Sequence, residues 1–215
     1  MLKRLCLLMA LFYMMMVSCG NKKHNGYEYV DLGLSVKWAT CNVGANSPEE
    51  YGEYYAWGET SPKAEYREEN SLTYGKQMDD IAGNAEYDVA RSNWGGGWRM
   101  PTDAERNELL DNCMWTWTTR NGVDGYNVEG PSGNSIFLPA AGCRYESSLN
   151  YAGSRGYYWS STPYDDTFDR YRDEKADNLY LNSDGPEVFC LDDRYYGLSV
   201  RPVLSQWRIS RFLEL

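Results

Sequence analysis

Between Tyr27 and Val43 apolar and polar positions alternate, as in YVDLGLSVKWATCNV, with aromatic and β-branched residues recurring along the run. A period of two predicts one or two strands here. YYAW, within Tyr51–Gly58, continues the sheet after a turn at Ser47-Pro48. From Thr60 to Asp80 the chain is polar and charged with little periodicity, which predicts a long surface excursion. A short helix is expected over Glu86–Asn93, stopping before Trp94-Gly95-Gly96-Gly97-Trp98. Three glycines between two tryptophans mark backbone packed closely against rings. No Lys-Ser/Thr follows them, so the phosphate-loop pattern fails.

The clearest helix start is MPTDAERNELLDNC. Thr102 is an N-cap residue and Glu105, three positions later, completes a capping box. The helix should run from about Asp103 to Asn112, burying Ala104, Leu109, Leu110 and Cys113 as a stripe and turning Glu108 and Asp111 to solvent. Short strand-like runs follow: WTWTT, a glycine-rich hairpin region at Asn121–Tyr126, NSIFLPAAG, GYYWSST, ADNLYLNS and GLSVRPV. Trp115 and Trp117 fall on one face of a strand and read as core. Tyr145 and Tyr151 flank a turn and read as surface tyrosines. Few helices among many short strands predict an α+β domain dominated by irregular β structure.

The N-terminus changes the picture. Lys3 and Arg4 precede an apolar run, Leu5–Val17, too short to span a bilayer and laid out like a secretory signal. It ends in Met-Val-Ser-Cys-Gly, which resembles a bacterial lipobox with Cys19 as the lipid-modified residue. The expected organisation is a lipoprotein signal peptide over 1–18, a lipidated flexible tether over 19–26, one domain over 27–204, and a C-terminal tail over 205–215. Trp207, Ile209, Phe212 and Leu213 in that tail would pack back on the domain or meet a partner.

Charge and composition then exclude several functions. Formal net charge is -10, from 21 basic and 31 acidic residues. Losing Lys3 and Arg4 with the signal leaves about -12. Nucleic-acid binding needs a basic footprint, so glycans, proteins or cations are the expected partners. His24, the single histidine, lies in the tether, which removes Ser-His and Cys-His nucleophilic catalysis. Cys41, Cys113, Cys143 and Cys190 remain in the mature chain, and no CxxC pair suggests zinc. In an oxidising compartment they permit three connectivities. The pairing favoured is Cys41 with Cys113. The 19 Tyr and 8 Trp suit surfaces that bind as well as cores that pack.

The order WRMPTDAERNELL, GNSIFLPAAGCR, GYYWSSTP, NLYLNS, YGLSVRPV resembles Bacteroides-type lipoproteins of the Fibrobacter succinogenes major paralogous domain family, over about Tyr27–Leu204. The resemblance implies a C-type-lectin-like fold, shared with formylglycine-generating enzymes and with the variable proteins of diversity-generating retroelements. It makes Trp98, Pro101 and Trp159 core or turn residues, and Arg99 and Arg201 anchors of polar networks. The lectin calcium triplets are absent. The acidic pairs Asp165-Asp166 and Asp192-Asp193 read more simply as solvated loops than as calcium ligands. The paired cysteines of formylglycine-generating chemistry are absent too. What carries over is a recognition surface between Tyr164 and Tyr196. Its candidate ligand-binding residues are Tyr164, Asp165, Asp166, Phe168, Arg170, Tyr171, Arg172, Asp177, Asp192, Asp193, Tyr195 and Tyr196. Many residues of the segment fit adenine-directed mutagenesis, whereas Glu174, Lys175 and Glu187 do not and would be fixed. The expectation is a non-catalytic binding lipoprotein, anchored to the outer membrane by its lipid, with an unknown protein or glycan ligand. No cofactor, catalytic residue or metal ligand is assigned. A glycan-active or formylglycine-generating-like enzyme and a structural envelope component stay open as alternatives, as does the side of the membrane.

Overall fold

The alternating segment at 27–43 becomes two short strands of a five-stranded antiparallel sheet. In this computed structural model, residues 22–164 and 169–205 are described, with the backbone alone at 188–191. The sheet has the order β1 (Lys22–His24), β2 (Tyr27–Val30), β3 (Val36–Ala39), β13 (Val203–Ser205), β4 (Trp98–Arg99). β13 thus inserts the C-terminal end of the domain between two N-terminal elements, pairing Val203 with both Trp38 and Arg99. Residues 22–26, expected to be a flexible tether, instead form β1 and a turn. The His24 carbonyl accepts the Trp98 indole N–H at 2.9 Å, a contact that local sequence does not foretell.

The remaining strands make three smaller antiparallel sheets. β5 (Met114–Arg120), β6 (Val123–Glu129) and β7 (Ser135–Pro139) form a meander; β8 (Cys143–Tyr145) and β9 (Ser148–Asn150) form a hairpin; β10 (Arg155–Pro163), β11 (Lys175–Asn182) and β12 (Gly185–Asp193) form the third. With only two α-helices, α1 (Val89–Trp94) and α2 (Asp103–Asn112), the described residues make a mixed α+β domain.

α2 spans the predicted residues and has the predicted capping box: the Thr102 side chain accepts from Glu105 N–H while the Glu105 side chain accepts from Thr102 N–H. Its buried face differs from expectation. Ala104 is exposed, Leu110 and Cys113 are half-buried, and Arg106 is buried beside Leu109. The reason lies in β11: Arg106 donates to the Asn178 carbonyl there and pairs with Asp103, so the helix turns a cation inward to satisfy a buried acceptor. Glu108 is half-buried, its carboxylate accepting Ser35 N–H at 3.0 Å.

Two clusters of buried apolar side chains lie on either side of the β10–β11 ladder. Trp57, Trp94, Trp98, Trp159, Ala176 and Val200 belong to one; Leu32, Trp38, Leu109, Tyr158, Leu179, Leu181 and Val203 to the other. Adjacent residues Tyr158 and Trp159 point to opposite clusters, as strand alternation requires. Their partners on β11, Leu179 and Asn178, alternate in the same way, and both are buried because each face of the ladder is covered. The last core run, 198–203, is buried throughout, but only its end is regular strand; Leu198 and Ser199 join Tyr55 and Tyr158 through isolated bridges.

Cys41 and Cys113 do not pair. Both are free thiols, as is Cys143. Cys113, just after α2, packs with the Trp38 cluster, whereas Cys41 lies in a hollow with Tyr27 and Trp94. Cys19, the 206–215 part of the tail, and Asp165, Asp166 and Phe168 lie outside the described residues, as does the Cys190 side chain.

Candidate functional site

The 60–80 excursion is fastened down at several points. Tyr66 is fully buried, its hydroxyl donating to the Tyr54 carbonyl at 2.5 Å. Thr73 is also buried and donates to the Trp57 carbonyl at 2.6 Å. The main clamp is Arg194, which follows β12. Its guanidinium, about 1% exposed, donates to the carbonyls of Lys175, Thr73, Lys76 and Arg172 and lies 4.5 Å from the Trp57 ring. Five N–H donors in a rigid fork suit a guanidinium to such a cage. Burial lowers its pKa to about 10, so it stays charged at neutral pH. One side chain therefore ties the excursion, the 172–175 segment and the end of β12 together.

A tyrosine cluster is built around that clamp. Tyr195 packs edge-on against Tyr196 (4.9 Å between ring centroids) and against Tyr74 from the excursion (5.2 Å). Tyr145, from β8, meets Tyr196 at 5.3 Å and 85°. The Tyr74 hydroxyl donates to Glu174 at 2.9 Å and the Tyr195 hydroxyl to Asp193 at 3.0 Å. Burial first, then these hydrogen bonds and nearby carboxylates, raise both phenols well above their ordinary range. They remain neutral hydroxyl donors. Asp193 also pairs with Lys175 at 2.8 Å.

Two open clefts flank this cluster. One, of about 360 Å³, is lined by Gln77–Asp80, Thr162–Tyr164, Arg172, Asp173 and Arg194. The other, of about 140 Å³, is lined by Arg67, Glu68, Glu69, Tyr145, Glu146 and Tyr195.

The predicted site residues distribute as follows. Tyr195, Tyr196 and Asp193 come together in the cluster, and Tyr164 and Arg172 line the larger cleft, with the Tyr164 hydroxyl donating to Asp169 at 3.2 Å. Arg170 stacks on and donates to Tyr171. Asp177 and Asp192 are members of the β11–β12 ladder, facing Leu191 and Ala176 respectively, and so lie on opposite faces of it. Asp192 sits under the cluster, accepting from Asn178 at 3.0 Å. Asp177 looks toward Arg106 and Asp103 of α2. Burial raises each to about 6, against attraction from Lys175 for Asp192 and from Arg106 for Asp177.

Tyr74, Tyr145, Glu68, Glu69, Glu146 and Arg194 escaped the sequence reading as site residues. All but Arg194, which stands beside Tyr195 in sequence, reach the cluster through contacts distant along the chain, and no local pattern announces them. Among the described residues no group of three His, Cys, Asp or Glu side chains is placed to hold a metal ion. No helix among them is long and apolar enough to cross a membrane.

Residues 114–203, from β5 to the first residue of β13, match a family described as a domain of unknown function (DUF8237). That stretch supplies Tyr145, Arg194, Tyr195 and Tyr196, while Tyr74 and the 60–80 excursion lie before it. No curated protein and no solved structure matches the chain.

Proposed function

We propose that this chain is a non-catalytic recognition protein of the bacterial cell envelope, built on a C-type-lectin-like scaffold and held at the outer membrane by a lipid on Cys19. The observation that supports it is the group of Tyr74, Tyr145, Tyr195 and Tyr196, packed ring against ring beside the buried Arg194 clamp. Tyrosines bring large contact area with a polar tip, and holding them in place beforehand lowers the ordering cost of association. The ligand is a protein or glycan that meets this group together with Tyr164 and Arg172 in the larger cleft. Diversification by a retroelement would fall in the same segment, 164–196, between fixed scaffold positions.

The test is a glycan and envelope-protein array probed with the mature domain and with Tyr195→Ala, Tyr196→Ala and Arg172→Ala variants. Recognition predicts a ligand whose capture weakens in these variants and survives Trp117→Phe, a change on the far meander. A ligand indifferent to all three would refute this location. Substrate turnover abolished by Asp192→Asn or Asp193→Asn would replace binding with catalysis. Palmitate labelling lost in Cys19→Ser would support the anchor, and labelling unchanged would remove it.

A further inference from the structure

We infer that the smaller cleft binds an organic cation, the ammonium or guanidinium of a lysine or arginine side chain presented by a peptide partner. The inference deepens the recognition reading and rests on it for the partner being a protein.

The cleft has two walls, the turn at 67–69 and the tip of the β8–β9 hairpin. They are locked together because Tyr66 and Glu146 exchange backbone hydrogen bonds of 2.9 and 3.0 Å. Glu68, Glu69 and Glu146 give the cleft three carboxylates against one guanidinium, Arg67. Arg67 is already shared between Glu65 at 3.1 Å and Glu146 at 3.5 Å. An anionic ligand such as a phosphate or sulfate would therefore be repelled. A bare divalent ion is a poor fit as well, since these carboxylates do not converge into a metal-holding group. A diffuse organic cation needs no such convergence.

Tyr145 and Tyr195 supply the other requirement. Their ring centroids are 6.3 Å apart with planes tilted by 48°, too close to admit a cation between them, so the cation rests at the open edge of the pair, within reach of both rings. The Tyr195 hydroxyl donates to the Asp193 carboxylate. Donation to an anion leaves the phenol oxygen richer in electrons and makes the ring face more negative. Tyr196 supports both rings edge-on, so neither must be reordered when the cation arrives. Tyr145 is 43% exposed, a cost to the free protein that a ligand would recover. Aromatic faces beside carboxylates in an open cleft are the recognition chemistry of alkylammonium and guanidinium groups.

The experiment is a proton NMR titration of the whole domain, read at the Tyr145 and Tyr195 ring resonances. The probes are Nα-acetyl-lysine methylamide, Nα-acetyl-arginine methylamide, tetramethylammonium and the neutral Nα-acetyl-norleucine methylamide, followed by a lysine-containing hexapeptide. Saturable shifts with the cations and the peptide, absent with norleucine and weakened by salt, are the expected result. Tyr195→Leu and Glu146→Gln should each weaken the cations by about three-fold or more, while Tyr151→Leu, stacked under Arg155 away from the cleft, leaves them unchanged. Comparing ligands on the unaltered protein keeps the test decisive if a variant fails to fold. Equal shifts with norleucine, or no saturable shift with any cation, would overturn the inference. Binding of tetramethylammonium but not of the peptide would overturn the peptide source. A partner found on the array that depends on Tyr195, with no cation binding, would sink this ligand class and leave the recognition reading standing.

Discussion

Replacing Asp192 by Asn should stabilise the domain above about pH 6 and leave it unchanged near pH 4. The carboxyl lies beneath the tyrosine cluster, where burial raises its pKa from 3.8 to about 6. Lys175 on β11 pulls the other way, and Asp193 beside it adds to the rise. Cys143 of β8 and Tyr196 feel its charge. Because the folded state holds this proton more tightly than the unfolded chain, its favourable contribution is present below about pH 4 and is lost as pH rises through about 6. A rise of this size corresponds to about 3 kcal/mol. Residual exposure of the group reduces the cost expected at neutral pH to about 1–2 kcal/mol. Asparagine retains an oxygen to accept the Asn178 amide, now at 3.0 Å, and removes only the charge. Asp177 carries a similar rise, so the wild-type curve mixes both groups and the quantity to read is the difference between variant and wild type. Urea denaturation at about pH 4, 6 and 8 should give a difference near zero, then growing, then about 1–2 kcal/mol. A pH-independent difference, or a variant weaker than wild type at pH 8, would show that the Lys175 attraction outweighs burial and would refute the reasoning.

Arg194→Met should cost about 3 kcal/mol, because four carbonyls lose a donor, although those of Thr73 and Lys175 keep a backbone N–H from Lys76 and Tyr164, and urea midpoints with tryptophan fluorescence would register it. Gly197→Ala should destabilise by about 1–3 kcal/mol in the same assay, since a Cβ there would stand 2.6 Å from the buried Tyr66 ring; a neutral result would mean that the ring moves freely. Thr102→Ala removes the N-cap of α2 and should cost about 1 kcal/mol, whereas Thr102→Ser should cost less. With Cys113 and Cys143 both raised by burial to about 11, iodoacetamide at pH 8 should label them slowly in the folded protein and fully after unfolding without reductant; protection that persists in denaturant would reveal a disulfide.

What the sequence made legible was local. The Thr102–Glu105 box spans three residues, and its hydrogen bonds close within them, so the pattern and the helix coincide. In the meander, β5 was readable from the alternation in WTWTT and β7 from its short apolar run, whereas β6 was read only as a hairpin region at Asn121–Tyr126. The inward face of α2 was not readable: Arg106 turns inward on account of an acceptor at Asn178, 72 residues away. The excursion read as surface because its buried anchors, Tyr66 and Thr73, are too far apart to make a period. Tyr145 is the surface residue that the sequence suggested, but its place in the tyrosine cluster was not readable. Its partners Tyr195 and Tyr196 arrive through the bridge between Arg144 and Gly197, which sequence alone does not encode locally.

The two buried arginines suggest how long loops are held without long strands. Among the described residues neither Arg194 nor Arg201 pairs with a carboxylate; each is caged by carbonyl or amide oxygens instead. Arg201 bonds the carbonyls of Ala39, Thr40 and Phe137 and the side-chain oxygen of Asn42, joining the end of β3 to β7, while Arg194 joins the excursion to the end of β12. A carboxylate partner would satisfy the charge at one point. A guanidinium spread over several oxygens, most of them on the backbone, fixes several segments at once. Burial lowers the pKa of both arginines, which is the electrostatic cost of that arrangement. The cost falls at different places. Arg201 lies between the two core clusters and serves the scaffold, but Arg194 is adjacent in sequence to Tyr195 and in space to Trp57. Holding Arg194 therefore holds the backbone that presents Tyr195. A change in the exposed side chains of the 164–196 segment leaves this clamp intact, because its bonds run to main-chain oxygens that any residue supplies. That separation lets surface side chains vary while the geometry that displays them stays fixed.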